Sequence, residues 1–178
     1  MPQSKIHFEG GEDYLTSELE GYLHELHEQR VDTSLSSTRG IYKAAFLDIG
    51  IFVNEHLTEL IVTGYLAPAL YDIIKSSFLA AIRAIRRNVQ ILQSGKTRNA
   101  EPYIRFAKDD TEINILISDE ISDEDLVSYL EDALALLKDG ETRKDATCFI
   151  EKSATHDTPR VKTIQQYVKD RQRSQAEH

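Results

Sequence analysis

The sequence predicts an α+β fold, a small antiparallel or mixed sheet packed against a long helical hairpin and two further helices. Three observations predict it. Apolar residues recur at helical spacing over 13–29, 41–63, 68–92 and 122–139. They alternate at period two over 5–8, 103–108 and 112–117. Breakers such as Gly10-Gly11, Gly64, Pro68, Asp109-Asp110 and Gly140 fall between these runs.

The elements follow in order. Ile6 and Phe8 alternate in a short strand that Gly10-Gly11 ends. Leu15, Leu19, Tyr22, Leu23 and Leu26 make one apolar stripe, so 13–29 is read as a helix. Residues 31–38 are polar and read as a loop, in which Val31, Thr33 and Leu35 allow an edge strand. Ile41, Ala45, Ile49, Phe52, Val53, His56, Leu60 and Ile61 fit a helix, the first arm of the hairpin. β-Branched residues and Phe over 46–53 also fit a strand; the helix is the preferred reading. Gly64 suits a helix C-cap and Pro68 the first turn of the next helix. The second arm, 68–92, carries the stripe Leu70, Ile74, Phe78, Ile82, Ile85, Val89 and Leu92. After a polar connector over 93–102, the strands 103–108 and 112–117 form a hairpin around Asp109-Asp110-Thr111. Ser122 caps a helix striped by Leu126, Leu130, Leu134 and Leu137. Residues 146–151 read as a strand holding Cys148 and Ile150. This gives one α+β domain over 1–151. A polar C-terminal tail follows over 152–178, where Val161, Ile164, Tyr167 and Val168 allow a short helix.

The chain has 178 residues, 40% of them hydrophobic and 29% charged, which is a globular composition. One cysteine excludes an internal disulfide. Charges interrupt the apolar stretch 44–85, so no window of about 20 uncharged residues exists to span a membrane. The N-terminus lacks the basic-then-apolar order of a signal peptide, and a cytoplasmic location is the expectation. The net charge of −9 is uneven: segment 83–108 carries +6 and segment 109–151 carries −11. Arg83, Arg86, Arg87, Lys96, Arg98, Arg105 and Lys108 therefore form the candidate binding patch. Tyr103 and Phe106 lie among them, and phosphates or bases are recognised by such mixtures. The acidic total opposes nonspecific attraction to nucleic acid, and an acidic protein partner fits the same residues.

Other constellations are generic. His24 and His27 sit three apart beside Glu20 and Glu28, without a partner motif for a metal. Glu55, His56 and Glu59 place an acid and a base in the apolar stretch, the pattern of a shifted acid/base pair. Ser94-Gly95-Lys96-Thr97 resembles the end of a phosphate loop, but Gln90 stands where that motif needs glycine. Cys148 lies in an apolar strand, where buried thiols are inert, and His156 is the candidate base paired with it.

Three segments carry a family resemblance. These are Ile6–Gly11 leading into Leu15–Leu26, Ile61–Leu70 leading into Ile82, and Tyr103–Ile117 leading into Leu126–Leu137. In element order and hydropathy, residues 5–139 resemble the effector-associated constant component domains of bacterial conflict (anti-phage) systems. The resemblance implies an adaptor that couples a sensor or protease-like partner to an effector, with no catalytic residues. The expectation is a non-enzymatic interaction module that uses a protein partner or self-association and no cofactor. The alternative is a nucleic-acid or nucleotide binder using the basic segment 83–108. A small enzyme at Glu55 and His56 ranks third.

Overall fold

The computed structural model describes residues 3–37, 48–93, 95–139, 147–153 and 156–176. The chain begins with strand β1 (Lys5–Phe8), the short helix α1 (Gly11–Tyr14), helix α2 (Ser17–Glu28) and strand β2 (Asp32–Leu35). Strand β3 (Ile49–Val53), helices α3 (Glu55–Thr63) and α4 (Pro68–Asn88), and the paired strands β4 (Gln90–Gln93) and β5 (Lys96–Asn99) follow. The hairpin β6 (Pro102–Lys108) and β7 (Thr111–Leu116) precedes helix α5 (Leu126–Lys138). Strands β8 (Thr147–Ser153) and β9 (His156–Thr163) and helix α6 (Ile164–Ala176) complete the fold.

Seven strands form one mixed sheet in the order β2-β1-β3-β6-β7-β8-β9, and β4-β5 is a separate ribbon. Alternation sends Ile6, Phe8, Ile49, Ile51, Val53, Ile104, Phe106, Ile113, Ile115, Cys148 and Ile150 to one face, all 3% exposed or less. Helices α1 to α5 cover that face and share its core. Phe78 of α4 meets Phe106 edge-on at 6.3 Å. Burying one such side chain stabilises by about 1.5–3 kcal/mol, so this face anchors the fold.

The crossovers β1–β2 and β7–β8 begin on strands running the same way and step toward opposite sheet edges. Their helices lie on the same face, so they have opposite hand, and one is the left-handed form that strand twist disfavours.

Several expectations are corrected. The helix expected over 13–29 breaks at Leu15, where the backbone is extended, and restarts behind Thr16, whose side chain accepts from the Leu19 N–H. Residues 49–53 are a strand, not helix. Ile49, Ile51 and Val53 pair into the core between β1 and β6 while Gly50 and Phe52 face outward. Helical spacing fits there only when residues of both faces are counted together. The part of the first arm over 41–47 lies outside the described residues. The expected hairpin arms do not pack along each other, because α4 packs chiefly on α1, α2, α5 and β6. Helix α4 also stops at Asn88, where Val89 and Ile91 turn inward on an extended chain and leave Leu92 exposed. The turn between β4 and β5 uses Gly95 at φ +78°, a conformation open to glycine. Within the expected polar tail, residues 156–163 form edge strand β9, paired antiparallel with β8, and the short helix allowed there is present as α6. The edge strand allowed over 31–38 is present as β2, parallel to β1.

Candidate functional site: the outer face of the sheet

The face away from α1–α5 has its own pattern. Strand pairing lines up Ser34, His7, Phe52, Arg105, Asn114, Phe149 and Lys162 in one row across all seven strands. At the β8 end, α6 closes over the row, and Tyr167 stacks flat on Phe149 with centroids 4.3 Å apart and planes 7° apart. Toward β1, the row consists of half-buried His7, Phe52 and Arg105.

Arg105 is the hub. Its guanidinium carbon lies 5.2 Å from the Phe52 ring centroid and 5.4 Å from that of Tyr103. Its Nε donates to Asn114 Oδ1 at 3.0 Å, and Glu112 stands 3.7 Å away. Tyr103 meets Phe52 edge-on at 5.9 Å and 85°, and His7 lies 5.9 Å beyond Phe52. His7 Nδ1 is 2.9 Å from Ser34 Oγ. Burial pushes the Tyr103 phenol up to about 12, with Arg105 pulling the other way. Gly50 makes room for this arrangement: a Cβ there would lie 2.6 Å from the Tyr103 ring and 2.8 Å from Phe52. Asn114 is 1% exposed, and its Nδ2 has no hydrogen-bond partner among the described residues.

Chemically the cluster combines aromatic rings with a guanidinium. Tyr supplies large contact area with few rotamers lost, and Tyr and Arg are enriched among the energetic anchors of protein interfaces. A guanidinium stacked on aromatic rings is pre-organised for planar acceptors.

The basic residues expected as one patch are divided. Arg83, Arg86 and Arg87 ride on α4, on the helical side of the sheet, while Arg105 lies on the opposite side. Arg86 donates to Asp123 at 3.0 Å and to the Ser118 carbonyl at 2.8 Å. Arg98 clasps Asp48 at 2.6 and 2.8 Å. Arg87 is exposed and Arg83 and Lys108 are half-buried. The side chain of Lys96 lies outside those the structure describes.

Of the acid/base candidates Glu55 and His56, His56 is half-buried at the start of α3. Glu55 is exposed, and its carboxylate accepts the Asp109 N–H at 3.0 Å, clipping α3 to the β6–β7 turn. His24 pairs with Glu28 at 3.4 Å on an open helix face. Among the described residues, no group of three or more His, Cys, Asp and Glu side chains converges as a metal site. Cys148 is fully buried in the core. No described helix is long and apolar enough to cross a membrane.

Sequence reasoning missed the outer-face row. Its signal was the alternation itself, with Gly50/Phe52 and Tyr103/Arg105 falling out of phase with the isoleucines. No family model, curated protein or solved structure matches this chain.

Proposed function

We propose that this chain is a non-enzymatic interaction module that works through the outer face of its sheet. The observation that carries the reading is the cluster of His7, Phe52, Tyr103 and Arg105, an aromatic-guanidinium surface opposite the helical layer. His7, Phe52 and Arg105 are half-buried over a buried Tyr103, and aromatic and arginine side chains of this kind serve as anchors where another protein is bound. The occupant is a protein surface, either a second copy or a dedicated partner. The element-order resemblance to adaptor domains of bacterial conflict systems supplies the setting, a bacterial cytoplasmic adaptor in anti-phage defence. Light scattering coupled to size exclusion tests it. A dimer, or a complex with the product of a neighbouring gene, is expected, and Phe52→Ala with Arg105→Glu should dissolve it. A strict monomer with no defined partner refutes it.

The stacked guanidinium favours a second reading, in which a single-stranded nucleic acid lies on the same rings. The net charge of −9 and the engagement of Arg86 and Arg98 by carboxylates oppose it. Oligonucleotide anisotropy at low salt decides: the interaction module predicts no binding, and salt-sensitive binding lost in Arg105→Glu would replace it.

A further inference from the structure

Among the described helices, α6 alone leaves the helical layer and lies on the outer face. It has one large anchor, Tyr167 on Phe149. Ion pairs also tie it to its surroundings, Asp170 to Lys162 at 2.9 Å and Arg171 to Glu101 at 3.8 Å. Lys162 is also held by Glu151 of β8. Ion pairs that solvent reaches contribute little net stability. Beside the anchor, in the same row, is Asn114, whose buried Nδ2 meets no acceptor among the described residues. A buried donor without an acceptor is a cost that the seated helix leaves in place. The helix also carries its own start signal: the Thr163 N–H donates to Gln166 Oε1 at 3.0 Å and the Gln166 N–H to Thr163 Oγ1 at 3.3 Å. Such reciprocal capping begins a helix without help from the sheet.

We propose that α6 is an intramolecular occupant of the outer face, covering the Phe149 end of the row, and that a partner helix displaces it. The inference rests on the reading that the outer face is the interaction surface. Helix α6 defines the chemistry of its replacement: an amphipathic helix with an aromatic residue, an acid three positions later and a cation four positions later, as in Tyr167, Asp170 and Arg171. Release of α6 would join Phe149 and Asn114 to Arg105, Phe52 and His7 as one continuous surface. The covered chain is the resting form, and the partner's aromatic takes the Tyr167 position.

The test uses full-length chains and a fluorescein-labelled peptide of residues 164–176. Tyr167→Ala should bind the peptide in trans at least tenfold more tightly than the unmodified chain, and adding Phe149→Ala should abolish that binding. Equal binding by the unmodified chain, or none by a folded Tyr167→Ala chain, overturns the proposal. Hydrogen exchange on the unmodified protein gives a check that needs no variant. Amides of 168–173 should exchange at least a hundredfold faster than those of Ile51–Val53; equal protection refutes displacement. Neither measurement involves the partner, so their failure leaves the interaction reading to stand or fall by light scattering.

Discussion

Tyr129→Phe should lower stability at neutral pH and raise it, relative to the parent, in strong alkali. Tyr129 is 4% exposed on α5. Its single hydroxyl proton is shared between the Leu116 carbonyl at 2.8 Å and the Ile150 carbonyl at 3.2 Å, holding α5 to adjacent strands β7 and β8. Losing a buried hydroxyl that serves two carbonyls costs about 1–2 kcal/mol. For a chain of this size each kcal/mol moves Tm by about 2–4 °C, so a drop of roughly 2–8 °C is expected at pH 8. Alkali acts in the other direction. Burial, reinforced by the nearby Glu151 charge, pushes the Tyr129 phenol well above its ordinary range. The folded-state pKa is raised, so this stabilisation is complete below about pH 10, where the unfolded tyrosine is protonated. It is lost as pH rises further, at about 1.4 kcal/mol per unit. Phenylalanine has no proton to lose, so the gap between variant and parent should narrow above pH 10 and close near pH 11. Urea melts at pH 8, 10 and 11 measure it. Curves that stay equally spaced across that range refute the assignment of a buried, neutral, doubly engaged phenol.

Two further predictions follow from contacts near the outer face. Gly50→Ala should displace the Tyr103 and Phe52 rings, costing about 1–3 kcal/mol as overpacking does. Association should weaken at least tenfold, read by sedimentation equilibrium at a temperature where both proteins remain folded. Asp48→Ala removes a carboxylate that takes two bonds from Arg98 and one from the Glu101 N–H at 2.9 Å. Arg98 is partly exposed, so the cost is about 2 kcal/mol and should shrink in 1 M salt; a urea midpoint unchanged by the substitution would contradict it.

What could be read from the sequence followed from how local its physics is. The stripe Leu126–Leu130–Leu134–Leu137 and the hairpin around Asp109-Asp110 are set by spacing and turn chemistry within a dozen residues, and both are present. Strand β3 was harder, because its identity depends on β1 and β6, which lie about fifty residues away on either side. Helical spacing is satisfied there by combining Ile49 and Val53, which face the core, with Phe52, which does not. The end of α4 depended on a tertiary choice at Val89 to Leu92, where the stripe continues but the chain leaves the helix to pair with 96–99. The candidate site was the least legible. A basic run in sequence became residues on two sides of a sheet, two of them held by Asp48 and Asp123. The outer-face row joins residues from seven strands, and no spacing along the chain encodes it.

The central claim is that the outer face, and not the arginines of α4, carries the protein contacts. Light scattering on three purified proteins at matched concentration tests it most directly: the parent, Phe52→Ala/Arg105→Glu, and Arg83→Glu/Arg87→Glu. The account predicts association of the parent and of the α4 variant, alone or with the neighbouring gene product, and its loss in the outer-face variant. Association that survives Phe52→Ala/Arg105→Glu, or that disappears only in Arg83→Glu/Arg87→Glu, would contradict it.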